Sequence, residues 1–491
     1  MAPVTRLATL LRAGCQMLVA GLFASVRVAG VVSNHAFRDD PQLVALRASR
    51  ERALERDDNP SLPPKTSAEV FFFRRQRPTG TPMHTRINTD LLTPLGAYLR
   101  LRDAGSASFI LESVERGRLG RNSWMGVGSR IVDFDEAAGL GLPVVGYLAY
   151  DHAARLEPTV TLPTDGRGFP ESRLIVCETL VRFDHGAGVA DVLAGDVEEI
   201  AGRLDGGIAW RREPRGIAGP IRRIPDRARY IEMVKTVKEH IVEGDVFQCV
   251  PSQRAERPTS ASPLDIYRAL RRVNPSPYLF LLELDGIALV GSSPERLVAC
   301  ENGHASLCPI AGTTEPTEGD VERLLSSEKD CAEHVMLVDL GRNDLSRVCK
   351  AGTVHVTRDM EVERFSHVSH LVSEVAGEMR EGVTPFEVLR SCFPAGTVSG
   401  APKVRAMQLI SELEGFRRGP YGGAVLYSLP DGTLDACIAL RTMVIADGVA
   451  YLQAGAGVVA DSDPEAEHEE CLKKLAALEA AIDLAEVEFS A

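Results

Sequence analysis

The chain runs to 491 residues, room for two or three domains or for one large intertwined one with a full core. A formal net charge of −13 argues against a nucleic-acid footprint, which needs clustered lysines and arginines. The ten cysteines are scattered without a CxxC, which argues against metal ribbons and disulfide frameworks and suits a reducing, cytosolic compartment; no apolar run reaches the roughly 18 residues of a membrane span.

Residues 1–36 lack acidic side chains, carry Arg6, Arg12 and Arg27, and include an apolar run from Met17 to Val26. A targeting segment fits this pattern, as does an extension read from an early start, which is the favoured reading. Residues 1–84 are expected to form a partly disordered extension. Regular patterning begins near Asn88. A helix is expected over 91–101, two strands around a polar turn over 108–128, and further strands over 142–151 and 171–185. The acidic stretch 186–207 reads as a hairpin or as a loop with a helix. A Pro and Arg cluster over 213–226 looks like a boundary, giving regions 85–225 and 226–488.

The second region opens with an amphipathic helix over 228–245, then a strand over 246–250 and a helix over 263–274. Asp285-Gly286 signals a hairpin within 278–295. Two strand segments lie near 296–311, a helix over 332–340, and a mixed stretch over 353–379. A helix over 384–393, a loop over 394–403 and a helix over 404–414 follow. Strands over 422–429, 434–448 and 451–453 lead into a helix opened by Asp463-Pro464. Hairpins with interspersed helices and no regular βαβ alternation predict an α+β fold with antiparallel sheet.

Several residues are candidates for chemistry. Gly455 and Gly457 let backbone approach a ligand, and Glu467, Glu470 and Lys474 share one helical face just beyond them. Two carboxylates and an ammonium there suit a Mg2+ and anion site, because hard cations take oxygen ligands. A solvated acidic helix face fits the same pattern. Asp330 and Glu333 form a second acidic pair at i, i+3, which alone reads as surface charge. Gly312-Thr313 ends a strand and can hold a carboxylate, although most such pairs are turns. His367 and His370 sit among apolar neighbours, either as core histidines or with a neutral imidazole near a reacting hydroxyl. Gln248 lies on a strand, Glu295 follows one as a candidate general acid, Tyr421 occupies a Gly-rich turn, and Arg441 precedes a strand. Dinucleotide, P-loop, GxSxG and HExxH signatures are absent.

The motifs GDVFQCVPSQR, NPSPYLF, GSSPE, PIAGT, EHVMLVDLGRNDL, ERFSHVSHLVS, FPAGTVSGAPK, GPYGG, ALRT and QAGAGVVADSDPEAEHEE run in one order. In order and spacing they resemble the chorismate-utilising enzymes, and within them the anthranilate synthase component I branch, over about residues 85–485. The resemblance implies large intertwined antiparallel sheets with flanking helices and a cleft in the C-terminal part. It implies Mg2+ held by Glu333 and Glu470, with Asp330 and Glu467 nearby, gripping the ring carboxylate of chorismate beside Gly455, Gly457 and Lys474. Tyr421 and Arg441 would hold the enolpyruvyl carboxylate, with Gly312 and Thr313 flanking the substrate. His370, Glu295 and Thr397 would be catalytic, Glu295 as the acid for the departing hydroxyl.

Gln248 stands where water-adding relatives look to carry a lysine base, and Ala311 where aminodeoxychorismate synthases often carry a lysine. Both favour anthranilate as product, a lyase reaction at the entry to tryptophan synthesis. LESV at 111–114 resembles a tryptophan-binding motif, so Glu112, Ser113, Pro277, Tyr278 and Leu279 are expected to line a feedback pocket that makes the enzyme allosteric. No GxCxG elbow occurs, so a separate glutamine amidotransferase subunit is expected to supply ammonia in a cytoplasmic hetero-oligomer, with no nucleic-acid or membrane partner. Two departures stand out. The 314–330 stretch is shorter than usual and lacks the RPRG-type run that usually follows PIAGT, and Ser369 replaces a common methionine. Alternatives are aminodeoxychorismate synthase component I, or a weakened paralogue serving as a tryptophan-binding regulatory subunit.

Overall fold

The computed structural model describes residues 86–115, 118–208, 218–364 and 369–488. The extension expected over 1–84 lies outside them. Two large antiparallel sheets dominate, of eleven and ten strands. Strands from both sides of residue 225 share each sheet. In the first, Ala107–Glu115 pairs with Tyr278–Leu284. In the second, Val144–Leu148 pairs with Ala424–Ser428. The α+β antiparallel expectation is met, with long-range pairing throughout.

The sheets face each other across a core that includes Phe109, Phe280 and Leu289 from the first and Tyr147, Ile175 and Val425 from the second. Helices cover the outer faces. Pro263–Val273 and Pro464–Glu488 lie on the first sheet, and Glu328–Ser346 and Pro385–Cys392 on the second. Burial of these apolar faces is the main stabilising term, at roughly 25 cal/mol per Å2.

Local signals explain most element ends. Asp226 caps the helix Arg227–Glu243, whose far end closes on left-handed Gly244. Gly286 supplies the positive φ of the Asp285-Gly286 turn. Asp463 accepts the Ala466 N–H at 2.8 Å and Pro464 starts the last helix.

Three expectations need correction. The strand expected over 246–250 is only Gln248–Cys249, and a seven-residue strand, Ser252–Pro258, follows it inside the first sheet. The helix expected over 332–340 runs from Glu328 to Ser346. The supposed loop 394–403 contains a helical turn, Gly396–Ser399, and a short strand, Gly400–Ala401. The short 314–330 stretch forms a helix, Asp320–Ser326.

Candidate active site

Two helices bring the acidic pairs together. Ser327 caps the helix Glu328–Ser346, which carries Asp330 and Glu333 in its first two turns. The last helix carries Glu467, Glu470 and Lys474. Its buried stripe of Cys471, Leu475 and Leu478 anchors it, so Glu467 is buried at the edge of that stripe while Glu470 and Lys474 are exposed. Burial pushes the Glu333 carboxyl up, and Asp330 and Glu470 add to the rise; the Gln248 amide and Lys329 oppose it. Burial likewise raises Glu467, with Glu470 adding and Ser462, Lys329 and Lys474 opposing. The two helices therefore share one electrostatic neighbourhood.

Gln248 enters this neighbourhood from its short strand, which pairs with Gly400–Ala401. Its Nε2 donates to Glu333 Oε1 at 2.8 Å, and its buried Oε1 has no hydrogen-bond partner. Gly457 makes the approach possible, since a Cβ there would stand 2.7 Å from Gln248 Nε2 and 3.6 Å from Glu333 Oε1. Lys474 Nζ donates to the Gly455 carbonyl at 2.9 Å and pairs with Glu470 at 2.8 Å.

Glu295 leaves the strand Ile287–Ser293 at its end and is buried. Thr397 Oγ1 donates to its Oε1 at 2.8 Å. Burial pushes the Glu295 carboxyl up to about 8, with Glu333 adding and Thr397 and Lys474 opposing. It is therefore mostly protonated at neutral pH, the state a proton donor needs.

Across the site, His370 Nδ1 lies 3.0 Å from the Gly312 carbonyl. A carbonyl only accepts, so Nδ1 carries the proton and Nε2 is the basic nitrogen. Burial lowers the His370 pKa, the Gly312 bond opposes this, and Arg441 lowers it further. Gly312 has φ 67° at a bulge within the strand Ile310–Thr314, and a Cβ there would meet Asp330 Cβ at 3.2 Å, so the bulge is seated on the acidic helix. Thr313 pairs through its backbone with His370; its side chain, like all of His367, lies outside the described residues.

Tyr421 is buried with its hydroxyl beside Gly455. Arg441 sits at φ 46° with its guanidinium 3.4 Å from Asn274 Oδ1, and Asn274 Nδ2 is buried without a partner. Sequence reasoning missed Arg418. It donates to the Val250 carbonyl at 2.6 Å and to the Val398 carbonyl at 2.7 Å, pairs with Glu414, and lies 5.6 Å from the Tyr421 ring. It thus ties the Gln248 strand, the Thr397 turn and Tyr421 together. Its place just before GPYGG was the available signal. Lys329, four residues before Glu333, was also missed, although i, i+4 spacing to an acid marks it.

The supposed tryptophan residues meet along one strand pair but divide between its faces. Glu112 is opposite Leu279 and turns to the helix Pro263–Val273, where Tyr267 donates to it and Arg271 Nε pairs with it at 2.8 Å. Tyr278 turns the other way, donating to Asp435 at 3.2 Å. Ser113 Oγ is buried without a partner, and Pro277 is half-buried.

Of the described residues, only His240, Glu243 and Asp245 form a trio of metal-type atoms within 4.8 Å, and there Arg405 already pairs with Asp245 at 2.6 Å. The carboxylates of Asp330, Glu333, Glu467 and Glu470 are spaced more widely than that trio. Their mutual repulsion, the orphaned Gln248 carbonyl and the gap at Gly457 are what a hexacoordinate cation using a few carboxylates plus ligand oxygens would relieve, so these residues fit such an ion.

Residues 106–480 match the model of the chorismate binding enzyme family. Anthranilate synthase component 1 of Thermus thermophilus is 41% identical over 460 residues, covering 82% of this chain and 98% of that protein. The crystal structure of anthranilate synthase component I from Streptococcus pneumoniae is 32% identical, with a TM-score of 0.66, covering 80% of this chain and 99% of that one. The menaquinone-specific isochorismate synthase of Escherichia coli shares the fold, with a TM-score of 0.65 at 21% identity over 81% of this chain and 94% of that one.

Proposed function

The chain belongs to the chorismate-binding enzyme family, and from that premise we propose that it is an anthranilate synthase component I. It is a lyase that converts chorismate and ammonia into anthranilate, pyruvate and water. The observation that carries the choice of product is Gln248, held 2.8 Å from Glu333 where water-adding relatives look to have a lysine. An amide cannot deprotonate water, so ammonia, which needs no activation, is the competent nucleophile.

The chain's own residues divide the work. Arg441 and Tyr421 grip the enolpyruvyl carboxylate, Arg441 from a partly buried position whose desolvation strengthens its pairing with an anion. Ammonia bonds to C2 while the C4 hydroxyl leaves as water, taking its proton from Glu295. The C2 proton is then removed, the ether C–O bond breaks, and the enolpyruvyl group departs as the ring becomes aromatic, a proton added to its methylene carbon making it pyruvate. His370, neutral with Nε2 unprotonated, sits beside Arg441 to accept or orient a proton. Glu333 and Glu470, flanked by Asp330 and Glu467, would hold Mg2+, which when bound supplies positive charge for the ring carboxylate.

Ammonia comes from a separate glutamine amidotransferase subunit, making a hetero-oligomer. Tryptophan inhibits by binding on the Ser113 and Tyr278 side of the strand pair; the orphaned Ser113 hydroxyl supports this reading. No described helix is long and apolar enough to cross a membrane, and a cytoplasmic enzyme is the accompanying proposal. The test is direct. Purified protein, chorismate, Mg2+ and ammonium at pH about 8.5 give anthranilate fluorescence, because free NH3 is the nucleophile. A product without that fluorescence, or no turnover with tryptophan binding retained, would reject the assignment.

A further inference from the structure

A small cavity has Tyr421 in its wall but not Gly455. It is lined by Arg254, Arg167, Arg417, Arg418, Phe169 and Tyr451, together with Tyr421 and Gln453. Arg254 is 5% exposed, stacks 4.6 Å from the Phe416 ring, and its Nε makes no hydrogen bond. Among the described residues its terminal nitrogens make none either. A buried guanidinium whose Nε–H makes no hydrogen bond is costly to keep unless something accepts it.

The neighbouring acids do not fill that role. Glu256 Oε1 comes to 3.3 Å of Arg254 Nε but is also taken by Arg167. Glu414 is saturated by Arg418 and Ser252. Asp165 lies near enough to interact with Arg254, yet Arg417 sits in the same loop contact, its N–H donating to the Asp165 carbonyl at 2.8 Å. Four arginines thus face three acids; of the two that are buried, Arg418 is fully engaged and Arg254 is not.

We propose that Arg254 anchors a carboxylate-binding subsite, bordered by Tyr421, that holds the carboxylate of a small 2-oxo acid or enol ether acid. The cavity is about 20 Å3, room for one or two water-sized groups at roughly 10–15 Å3 each. It admits a carboxylate head and no ring, so the rest of the ligand lies toward the exposed Arg167 and Arg417. Planar guanidinium suits a carboxylate bidentately. The natural ligand, released pyruvate or the side chain of incoming chorismate, rests on the proposed reaction; the anion site does not.

The test reads binding without turnover. The full chain is titrated with pyruvate and acetate at constant ionic strength, by calorimetry and by NMR line broadening of 13C-pyruvate. Saturable binding is expected for both, at least tenfold weaker in Arg254→Leu and intermediate in Arg254→Lys. Binding must survive Arg441→Leu, which removes the carboxylate grip on the catalytic side. Should Arg254→Leu fail to fold, the exposed Arg417→Gln should still weaken binding severalfold. Chorismate that displaces pyruvate assigns the subsite to substrate, and pyruvate bound beside chorismate assigns it to product. Pyruvate binding that is unchanged in Arg254→Leu, lost only in Arg441→Leu, or absent from the wild type overturns the proposal. A chain that made no anthranilate would leave every one of these outcomes readable.

Discussion

Gln248 and Glu333, 85 residues apart in sequence, meet through a 2.8 Å hydrogen bond that joins a two-residue strand to the acidic helix. The bond sets the orientation of a carboxylate otherwise pushed toward neutrality by burial and by its acidic neighbours. Only a missing side chain at 457 leaves room for it.

Gly457→Ala should break this contact. The new methyl would stand 2.7 Å from Gln248 Nε2, and the amide, at the end of a flexible side chain, would swing away. Glu333 then loses its orienting donor, and kcat/KM for anthranilate formation should fall roughly 10–100-fold while the fold persists. Steady-state fluorescence assays measure this. Wild-type kcat/KM in the alanine variant would mean that the contact is incidental.

Gln248→Lys tests the choice of nucleophile. A lysine amine at that place can serve as a base toward water, so a hydroxylated product should appear by chromatography, at the expense of anthranilate. Its charge would also partly neutralise Glu333. Anthranilate as the sole product would remove Gln248 as the discriminator.

Calorimetric titration with Mg2+ should show a single site whose affinity falls at least about tenfold in Glu333→Gln and in Glu470→Gln. Glu243→Gln, in the exposed trio at His240, should leave it unchanged. The reverse pattern would move the metal to the other cluster.

What the sequence conveyed follows from locality. Helices with their own caps, such as Arg227–Glu243, and the Asp285-Gly286 hairpin are written in neighbouring residues. The strand Ser252–Pro258 is not, because SQRAERP reads as a polar loop. Its charges are tolerated between Val449–Gly455 and Arg222–Ile224 only because Arg254 stacks on Phe416 and Glu256 pairs with Arg167. The acidic pairs were legible as spacings, but their convergence from two helices is a tertiary fact. The same holds for two departures from the family pattern. Ser369 donates to Asp320 at 2.7 Å, so the substituted position and the shortened stretch hold each other. The division of Glu112 and Tyr278 between two faces follows from strand alternation, though not what each face meets.

Arg418→Met should destabilise the fold. Arg418 and Glu414 are both buried, and Glu414 also accepts from the Ser252 N–H at 2.8 Å. Removing the guanidinium leaves a buried carboxylate uncompensated and two carbonyls unpaired, a loss of about 3–5 kcal/mol in urea unfolding. Adding Glu414→Gln to that variant should recover part of the loss, since the remaining group is neutral. A loss below about 1 kcal/mol would show the pair to be solvated in solution.

Glu295 makes the sharpest pH prediction. Its carboxyl is raised to about 8, chiefly by burial, and the protonated form is the one that can donate to the leaving hydroxyl. With rates normalised to free NH3, kcat/KM should therefore be level through neutrality and fall as pH rises past about 8. Glu295→Gln keeps the shape but has no proton to give, so the rate should drop roughly 10²–10⁴-fold and that limb should vanish. Thr397 supplies the opposite control. Its hydroxyl donates to the carboxylate and so favours the charged form; Thr397→Val should push the carboxyl higher and move the limb to higher pH, with a severalfold lower rate. A limb that survives in Glu295→Gln, or that moves downward in Thr397→Val, would assign the titration to another group and remove Glu295 as the acid.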